Sequence, residues 1–387
     1  MVQKSVDAVV IGGGILGAAT AYHLTKFGAE VCLVERGAIA SGTSGACDGQ
    51  ILIADRHPGP ELELGKLALK RWDDLARELP IDIEYESGGS TLIAEVEEDV
   101  TALAHLVDSL KGEGIRAHIL QGPEMRDLEP ELAEDIPGLA WFPDHAQVQP
   151  QLACWGMAQA AREGGAILET HTEVVAIERD PRGRVSTVVT SNGPITTPVV
   201  VNAAGAWSPT IGEMVGIRVP VKPRRGHIVV TEPVPPILRH SAMEASYTRT
   251  IDADDAALQV AMVIEHTKSG TMLFGSSREF VDFDRRENLE AIKGIVRRAI
   301  RFFPALARVQ AIRCYTGFRP YTPDHLPILG ECEQASGFYL ATGHEGGGIC
   351  MGPISGKLVA QQITGQTPDL SLEAYNISRF DHDPNAG

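Results

Sequence analysis

Apolar and polar positions alternate in blocks along the first part of the chain, and the blocks predict a strand, a turn, a helix and a second strand. Four apolar residues at 8–11 lead into a group of glycines, and apolar residues at helical spacing continue as far as Leu24. A second apolar run at 31–34 ends on Glu35. Short continuous apolar runs are typical of strands that are buried on both faces of a sheet. The opening of the chain therefore predicts a β-α-β unit.

The turn of this unit has the spacing Gly12-x-Gly14-x-x-Gly17, which predicts a dinucleotide-binding site. The first glycine permits the tight turn, the second lets the backbone approach a pyrophosphate, and the third lets the helix lie against the strand. The helix N-terminus offers amide donors to the pyrophosphate, and Glu35 is placed to bind a ribose diol. An ordinary glycine turn is the alternative, but the strand, the helix and the acid all agree with a dinucleotide.

The remaining sequence predicts further helices and strands at intervals along the chain. Helical periodicity is present at 61–79, 97–111, 151–163 and 288–303, and in a last helix that ends at 362. Strands are expected at 138–142, 166–169, 172–178, 185–191 and 337–343, and antiparallel strands are expected within 219–250 and 258–275. The segments 83–86 and 90–94 are interpreted as a hairpin, because two strand-like runs flank Gly88-Gly89.

A second strand–turn–helix pattern begins with the apolar run at 197–202 and turns near Gly205. This recurrence indicates that the nucleotide domain resumes there, so that two domains are interleaved along the chain. We predict a mixed α/β fold in which a Rossmann-like domain is formed by 1–80, 145–218 and 318–387. A substrate domain built on a mainly antiparallel sheet is predicted at 81–144 and 219–317.

Composition and charge restrict the partners and the compartment. The net charge of −17 at pH 7 argues against nucleic acid and anionic membrane surfaces. The six cysteines are scattered without a Cys-x-x-Cys pair, so no metal site is expected. Cys32 falls in a buried strand pattern, which favours a reducing compartment. Because no run approaches the ~18 apolar residues of a membrane span, we expect a cytoplasmic protein without a transmembrane segment.

Four widely separated segments become informative when they are taken together. They are the opening turn with Glu35-Arg36, the stretch 41–44 (Ser-Gly-Thr-Ser), the stretch 202–208 (Asn-Ala-Ala-Gly-Ala-Trp-Ser), and the pair 317–324 and 343–349. Their order and spacing resemble the D-amino-acid oxidase family of flavoproteins, which also holds glycine oxidase, sarcosine oxidase and dye-linked amino-acid dehydrogenases. The similarity extends from about Val6 to about Gly365 and implies FAD, not NAD, as the cofactor.

The resemblance also implies where FAD would lie. The first turn would hold the pyrophosphate, Glu35 the adenosine ribose, and Val174 the adenine through its backbone. The turn at 343–349 would place amides near the pyrimidine end of the flavin, where reduced flavin carries negative charge. The implied cofactor-binding residues are Gly12, Gly14, Ile15, Leu16, Gly17, Glu35, Arg36, Gly42, Thr43, Ser44, Val174, Ala203, Gly205, Trp207, Gly343, His344, Glu345, Gly346, Gly347, Gly348 and Ile349.

Two residues are candidates for the substrate end of the site. Arg319 matches the family position that binds the substrate carboxylate, a task for which the planar guanidinium is suited. A surface or interdomain salt bridge is the alternative role of Arg319. Tyr247 lies where relatives often keep a tyrosine over the substrate, although an ordinary strand tyrosine is equally compatible with its context.

Other polar residues near these segments have no assigned role. A catalytic function of His227 is only weakly indicated, and the glycine-rich turn that contains His344 needs no imidazole. The residues Cys47, Asp48 and His57 could face the active site or a subunit contact, and the sequence leaves both roles open.

The attachment of the cofactor is predicted from a departure within the family. Monomeric sarcosine oxidases attach flavin to a cysteine at a position where this chain has Gly317, and Cys314 is displaced by three residues. We therefore expect noncovalent FAD.

The resemblance implies oxidation of the C–N bond of an amino or imino acid, with hydride transfer from the α-carbon to flavin N5 and an imine that hydrolyses. The segments 44–50 and 343–349 are most similar to catalytic β-subunits of multisubunit dye-linked dehydrogenases, whose substrates include proline, hydroxyproline, opines and related secondary amines. We therefore favour a dehydrogenase subunit whose partner subunits carry electrons onward.

Two alternatives remain open. One is a stand-alone glycine, sarcosine or D-amino-acid oxidase that produces hydrogen peroxide, and the other is a noncatalytic flavin-binding subunit. A nicotinamide-dependent dehydrogenase is disfavoured, because the later glycine motifs would then have no ligand. The sequence does not determine the amino acid or its enantiomer.

Overall fold

A computed structural model describes residues 4–247 and 257–381 of the chain. The α-helices of these residues are α1 (Ile15–Lys26), α2 (Pro60–Glu78), α3 (Glu97–Gly112), α4 (Gly122–Leu128), α5 (Pro150–Glu163), α6 (Ser208–Glu213), α7 (Leu289–Phe302) and α8 (Gly348–Ile363). Short 3-10 helices lie at Thr43–Gly45, Gly205–Trp207, Pro304–Arg308, Glu345–Gly347, Glu373–Tyr375 and Ile377–Phe380.

The strands of the described residues form four sheets. They are β1 (Lys4–Ser5), β2 (Ala8–Ile11), β3 (Val31–Val34), β4 (Gln50–Ile51), β5 (Ser90–Ala94), β6 (His118–Leu120), β7 (Gly138–Phe142), β8 (Ala146–Gln147), β9 (Ile167–Glu169), β10 (Val174–Arg179), β11 (Val185–Thr190), β12 (Gly193–Thr196), β13 (Val200–Asn202), β14 (Lys222–Thr231), β15 (Ser241–Glu244), β16 (Gln259–His266), β17 (Met272–Arg278), β18 (Ala311–Tyr321), β19 (Ile328–Glu331) and β20 (Phe338–Thr342).

A six-stranded sheet has the order β19-β20-β13-β2-β3-β9, and all its neighbouring pairs are parallel except β19 with β20. Successive side chains of β2 point to opposite faces of this sheet and so pack into two different hydrophobic cores. Ala8 and Val10 pack with α1, α5 and α8, whereas Val9 and Ile11 pack against the four-stranded sheet β1-β12-β11-β10. Because both faces are covered, β2 is apolar throughout, as predicted.

An eight-stranded sheet has the order β18-β14-β17-β16-β15-β5-β7-β6 and is antiparallel except between β15 and β5. One face is covered by α7, whose residues Ile295, Ala299 and Phe302 pack against side chains of β14, β16 and β17. The long strands β14 and β18 pair along their whole length, and this register places Arg224 opposite Arg319. The mixed α/β fold with a Rossmann-like sheet and a mainly antiparallel sheet is confirmed.

Most predicted elements are present, but the predicted hairpin at 83–94 is wrong. Segment 83–86 forms no strand, and only Glu86 makes a bridge, which joins it to Gln147. Strand β5 pairs instead with β15 along one edge and with β7 along the other. Residues 248–250 of the predicted stretch 219–250 lie outside the described residues. The proposed domain boundary at 318 falls inside β18, and the domain division stays a prediction.

The described residues offer neither a membrane-spanning helix nor a cluster of metal ligands. No helix in them combines the length and the apolar composition that a bilayer span requires. Residues 4–247 and 257–381 also contain no group of three or more His, Cys, Asp or Glu side chains arranged to hold a metal ion.

Candidate active site

A cavity of about 650 Å³ lies where the six-stranded sheet meets the eight-stranded sheet. The residues that follow the carboxyl ends of β2, β3, β13 and β20 line one side, and residues of β14, β16 and β18 line another. Ligands of parallel α/β sheets bind outside the carboxyl ends of the strands. The cavity is therefore where the sequence predicts the dinucleotide to lie.

The first glycine turn has the geometry that its spacing predicts. Gly12 adopts a φ of 111°, and a methyl group there would lie 2.5 Å from the Ala203 carbonyl oxygen. A methyl group on Gly17 would lie 1.8 Å from the Gly12 carbonyl oxygen, so Gly17 sets the approach of α1 to the turn and does not line the cavity. Gly14, Ile15 and Leu16 do line it. The N-terminus of α1 thus faces the cavity, as a pyrophosphate site requires.

Glu35 is held by backbone amides at the edge of the cavity. Its Oε2 accepts a hydrogen bond from the Gly13 amide and its Oε1 one from the Gly37 amide, each at 2.7 Å. An ionised carboxylate has about four acceptor sites, so two amide bonds leave capacity for a ribose diol. No role was predicted for Gly13 or Gly37, and only Gly13 belongs to the glycine-rich turn.

The segment 42–44 and the second glycine turn meet around Trp207. The Thr43 hydroxyl donates to the Phe318 carbonyl at 2.6 Å, and the Ser44 hydroxyl accepts from the Ile15 amide at 3.0 Å. The Arg36 guanidinium lies 4.3 Å from the Trp207 ring centre. The predicted residues that line the cavity here are Arg36, Gly42, Thr43, Ser44, Val174, Ala203, Gly205 and Trp207.

A loop of the other sheet completes this end of the cavity. Phe283 stacks on Trp207 with 5.0 Å between ring centres, and Arg285 lines the cavity. Neither residue was predicted from the sequence. They lie in a polar loop without a motif, and only the tertiary structure brings that loop to the nucleotide turn.

The last glycine turn connects β20 to α8. His344, Glu345, Gly346, Gly348 and Ile349 line the cavity. Gly343 and Gly347 do not: methyl groups there would meet Thr322 and Met351 instead. Most of the predicted positions in this turn therefore line the cavity, but Gly343 and Gly347 do not.

The side chains of His344 and Glu345 in this turn interact with other buried residues of the protein. The His344 Nε2 lies 2.8 Å from the Ser355 hydroxyl, and burial lowers the pKa of His344 to about 3, so the ring is neutral. Burial acts to raise the pKa of Glu345, but the guanidinium groups of Arg278, Arg319 and Arg224 outweigh it and lower that pKa. His344 is a structural side chain, and Glu345 is a buried counter-charge.

Arg319 and Tyr247, the two predicted substrate residues, lie together at the far end of the cavity. A methyl group on Gly346 would lie 3.8 Å from the Tyr247 hydroxyl and 3.9 Å from Arg319 Nε. Arg319 Nη1 donates to the Ser277 carbonyl at 2.9 Å. Within 4–247 and 257–381 no carboxylate forms an ion pair with Arg319. Burial and the charge of Arg278 lower the pKa of Arg319, although an arginine remains charged at neutral pH.

Of the polar residues without an assigned role, some line the cavity and one does not. Cys47 and Asp48 line the cavity, whereas His57 is exposed and is not among the lining residues. His227 lines the cavity, but its Nδ1 lies 2.8 Å from the Ser277 hydroxyl and its Nε2 accepts from the Asn288 amide at 3.0 Å. With both nitrogens engaged by the protein, His227 orders the loop before α7.

FAD fits this cavity on the chemistry of the residues that line it. A helix N-terminus and a close glycine turn suit a pyrophosphate, and the Glu35 carboxylate suits a ribose. The cationic Arg319 lies at the opposite end, beside backbone that can approach a flavin ring closely. Together, the fold and the site define a dinucleotide-dependent oxidoreductase with a subsite for an anionic group.

Comparison with known proteins agrees with this class. Residues 7–362 match the DAO family, described as FAD dependent oxidoreductase. Glycine oxidase of Geobacillus kaustophilus is 30% identical over 382 residues, which cover 96% of this chain and 97% of that protein. Hydrogen cyanide synthase subunit HcnC of Pseudomonas aeruginosa is 28% identical over 426 residues, which cover 99% and 98%. The crystal structure of L-proline dehydrogenase from P. horikoshii superposes with a TM-score of 0.89 at 25% identity, covering 98% of this chain and 99% of that one.

The chain belongs to the DAO family of FAD-dependent oxidoreductases, because the family match spans most of its length. FAD is its cofactor, and the resemblance seen in the sequence is confirmed.

Proposed function

We propose that this enzyme oxidises the C–N bond of an amino or imino acid whose carboxylate pairs with Arg319. The observation that carries the proposal is the position of Arg319: a half-buried guanidinium at the end of the cavity, which among the described residues donates to the Ser277 carbonyl and forms no ion pair. A planar guanidinium binds a carboxylate through two parallel hydrogen bonds. The proposal is supported by relatives that include a glycine oxidase and an L-proline dehydrogenase.

The residues of the chain would position the substrate, and bound FAD would supply the two-electron acceptor. Arg319 would fix the carboxylate, and Tyr247, which is 8% exposed, would cover the substrate from the side of Gly346. FAD would be held by the predicted cofactor residues that line the cavity, which are all of them except Gly17, Gly343 and Gly347. Fixing the orientation of the substrate accounts for a large part of the rate in such a site.

Within this class we favour a dehydrogenase subunit that acts on proline, hydroxyproline, an opine or a similar secondary amine. The support is the similarity of segments 44–50 and 343–349 to β-subunits of such enzymes, the superposition with L-proline dehydrogenase, and a full-length relative that is itself named a subunit. Partner subunits would then carry the electrons onward.

Anaerobic reduction of the bound flavin tests this proposal. Proline, hydroxyproline, opines, sarcosine, glycine and D-amino acids are added separately, and a secondary amine is expected to bleach the flavin fastest. Purification from the native organism is expected to yield a second chain with additional flavin or iron. If no amino acid bleaches the flavin, the chain is a noncatalytic flavin-binding subunit.

A stand-alone oxidase is the second candidate, favoured by the full-length similarity to glycine oxidase. The two candidates differ in the electron acceptor. Rapid turnover of the isolated chain with oxygen, with one hydrogen peroxide formed per substrate, would reject the subunit proposal and establish the oxidase. Turnover with an artificial dye but little peroxide would reject the oxidase and support the dehydrogenase subunit.

A further inference from the structure

Residues 48–50 form a second polar wall of the cavity. Asp48 and Gln50 both line the cavity, while Gly49 between them is buried. The Gly49 amide donates to Glu265 Oε2 at 2.9 Å, and a methyl group on Gly49 would lie 1.8 Å from the Val148 carbonyl oxygen. These contacts fix the segment, so the side chains on either side of Gly49 have a defined place.

Gln50 offers an acceptor to a ligand. The residue is 7% exposed, and its Nε2 donates to the Ile264 carbonyl at 3.3 Å. Its Oε1 is buried and has no hydrogen-bond partner in the described part of the chain. A buried acceptor without a donor costs free energy, and a ligand with an N–H or O–H group would remove that cost.

Asp48 lies among several charged and titratable groups. Burial raises the pKa of Asp48, and the Arg319 guanidinium, the Gln50 amide and the more distant Arg278 partly offset this. Burial also raises the pKa of Glu265 well above its usual value, and the charge of Asp48 adds to the effect. The thiol of Cys47 and the phenol of Tyr315 face the same pair and are kept neutral by burial. Burial and mutual repulsion oppose ionisation of both carboxyl groups at once, and it is Asp48 whose ionised form is favoured by the nearby Arg319 guanidinium.

We propose that Asp48 and Gln50 are the amine subsite of the enzyme, beside the carboxylate subsite at Arg319. The substrate would bind as a zwitterion. The Asp48 carboxylate would accept one N–H of the ammonium group, and Gln50 Oε1 would accept another. A protonated secondary amine has two N–H groups, which matches two acceptors. This inference rests on the proposed function and adds to it the group that recognises the amine.

The subsite also provides the proton transfer that the oxidation needs. One N–H bond of the ammonium group breaks, its proton passes to an Asp48 oxygen, and the nitrogen keeps the electron pair. No electrons leave the substrate in this step, so no oxidant is required for it. The neutral amine then remains bound through its second N–H to Gln50. Asp48 would act as the general base.

Stopped-flow reduction of the flavin under anaerobic conditions tests the subsite in the holoenzyme. The reductant is whichever of proline, hydroxyproline, sarcosine and glycine bleaches the wild-type flavin fastest, and acetate serves as a carboxylate probe without an amine. For Asp48→Asn we expect bound flavin, nearly unchanged acetate affinity, and reduction at pH 7 slowed by about 10²-fold or more. The rate of this variant should rise about tenfold per pH unit from 7 to 9, because only the neutral amine reacts.

Two further variants complete the test. Gln50→Leu should weaken binding of the amino acid by about tenfold while acetate binding is kept. Asp74→Asn, which removes a carboxylate from the exposed face of α2, should behave as the wild type. If Asp48→Asn does not retain flavin, the Gln50→Leu result decides between support and rejection.

Each remaining outcome contradicts the inference. A wild-type rate and pH profile in Asp48→Asn would reject it, and so would an equal loss of acetate and amino-acid binding, which indicates a structural role. Both results leave the proposed function intact, since the wild-type flavin is still reduced. Failure of every amino acid to reduce the wild-type flavin would overturn the proposed function and this inference together.

Discussion

Three guanidinium groups gather around the carboxylate of Glu345 at the substrate end of the cavity. Arg224 Nη1 lies 3.1 Å and Arg278 Nε 3.7 Å from Glu345 Oε1. Arg319, the third, donates to a neutral carbonyl and lines the cavity. Arg319 forms no ion pair with the described residues, so an anionic ligand would pair with it in a place where water screens charges poorly.

Replacing Arg319 tests its role in carboxylate binding. For Arg319→Ala we expect kcat/KM to fall by about 100-fold or more, because a charge-assisted bidentate pair is lost. The flavin spectrum should be unchanged. Arg313→Ala, on the exposed part of the same strand, is the matched control and should leave the kinetics unaffected. Unchanged steady-state kinetics in Arg319→Ala would reject the assignment.

Residues differ in how far the sequence predicts them. Glu35 and the first glycines follow from local spacing, because one turn and two short strands contain the whole pattern. Asp48 could be located near the site but not assigned to a role, since Arg319, the charged group that most favours its ionised form, is distant in sequence. Arg285 has no local signal, because it reaches the cavity only when the two sheets meet.

At the scale of elements, the turn between β2 and α1 depends on the absence of side chains. The positive φ of Gly12 favours glycine, and Gly17 touches the Gly12 carbonyl. Helices α1 and α8 also pack closely because side chains are absent: methyl groups on Gly352 and Gly356 would meet Ile15 and Ala19. Small residues thus permit close helix packing. The sequence motif identifies Gly12 and Gly17 among them but not Gly352 and Gly356.

Adding one methyl group to this turn should displace α1. Gly17→Ala and Gly12→Ala are expected to destabilise the protein by roughly 1–3 kcal/mol or more through overpacking and backbone strain, and to weaken FAD binding. Gly112→Ala, at the end of α3 with no atom near the added methyl, is the control and should be neutral or slightly stabilising. Thermal unfolding and FAD titration measure both effects. Full FAD affinity in Gly17→Ala would contradict the assigned contact.

A second element-scale contact joins α1 to α2 through Glu78. Its carboxylate accepts from Arg71 at 2.9 and 3.1 Å, from the Tyr22 hydroxyl at 2.8 Å and from Lys26 at 3.0 Å. The hydrogen bonds from Arg71, with those from Tyr22 and Lys26, lower the pKa of Glu78 far below its usual value against the opposing effect of burial. A depressed folded-state pKa means that ionised Glu78 stabilises the fold.

Glu78→Gln should lower the free energy of unfolding at pH 7 by about 1–2 kcal/mol, a value reduced by the partial exposure of the pair. The difference from wild type should be complete above about pH 5 and should shrink as the pH falls below the unfolded-state pKa of about 4.3. Denaturant titrations from pH 3 to 7 measure it. Asp74→Asn, which breaks an exposed ion pair on the same helix, should have little effect. A difference that grows in acid would contradict the account.

Elements with strong periodicity were predicted nearly to the residue, as α3 and β7 show. The hairpin at 83–94 failed because strand pairing depends on distant partners: β5 lies between β15 and β7, and neither is its neighbour in sequence. Local propensity identified the strand β5 but could not identify its partners.

At the scale of the whole molecule, segments from three parts of the chain form one cofactor cavity. The β2–β3 unit, the strand β13 and the strand β20 place their carboxyl ends side by side in one sheet. Strand β18 of the other sheet brings Arg319 and Gly317 to the same cavity. The repeated strand–turn pattern made this interleaving predictable, whereas the contact between the two sheets follows only from the tertiary fold.

Noncovalent attachment of FAD is a prediction for the whole molecule. A side chain at Gly317 would meet the Ala46 carbonyl oxygen at 2.7 Å, and Cys314 lies three residues away along β18 and is not among the lining residues. Acid denaturation should therefore release all the flavin, leaving a polypeptide of 41.5 kDa. Intact-protein mass spectrometry measures this. A retained flavin mass would contradict the prediction and direct attention to Cys47 or Cys350, which line the cavity.

The central claim is that the flavin accepts electrons from an amino acid whose carboxylate is bound by this chain. Anaerobic stopped-flow reduction with proline and with pyrrolidine, its analogue without a carboxylate, tests it most directly, and sarcosine with dimethylamine gives a second matched pair. We expect the amino acid of at least one pair to bleach the flavin in a saturable reaction, and its amine partner to do so at least about 100-fold less efficiently. Equal bleaching by both members, or none by either member of both pairs and of the wider amino-acid panel, would contradict the account.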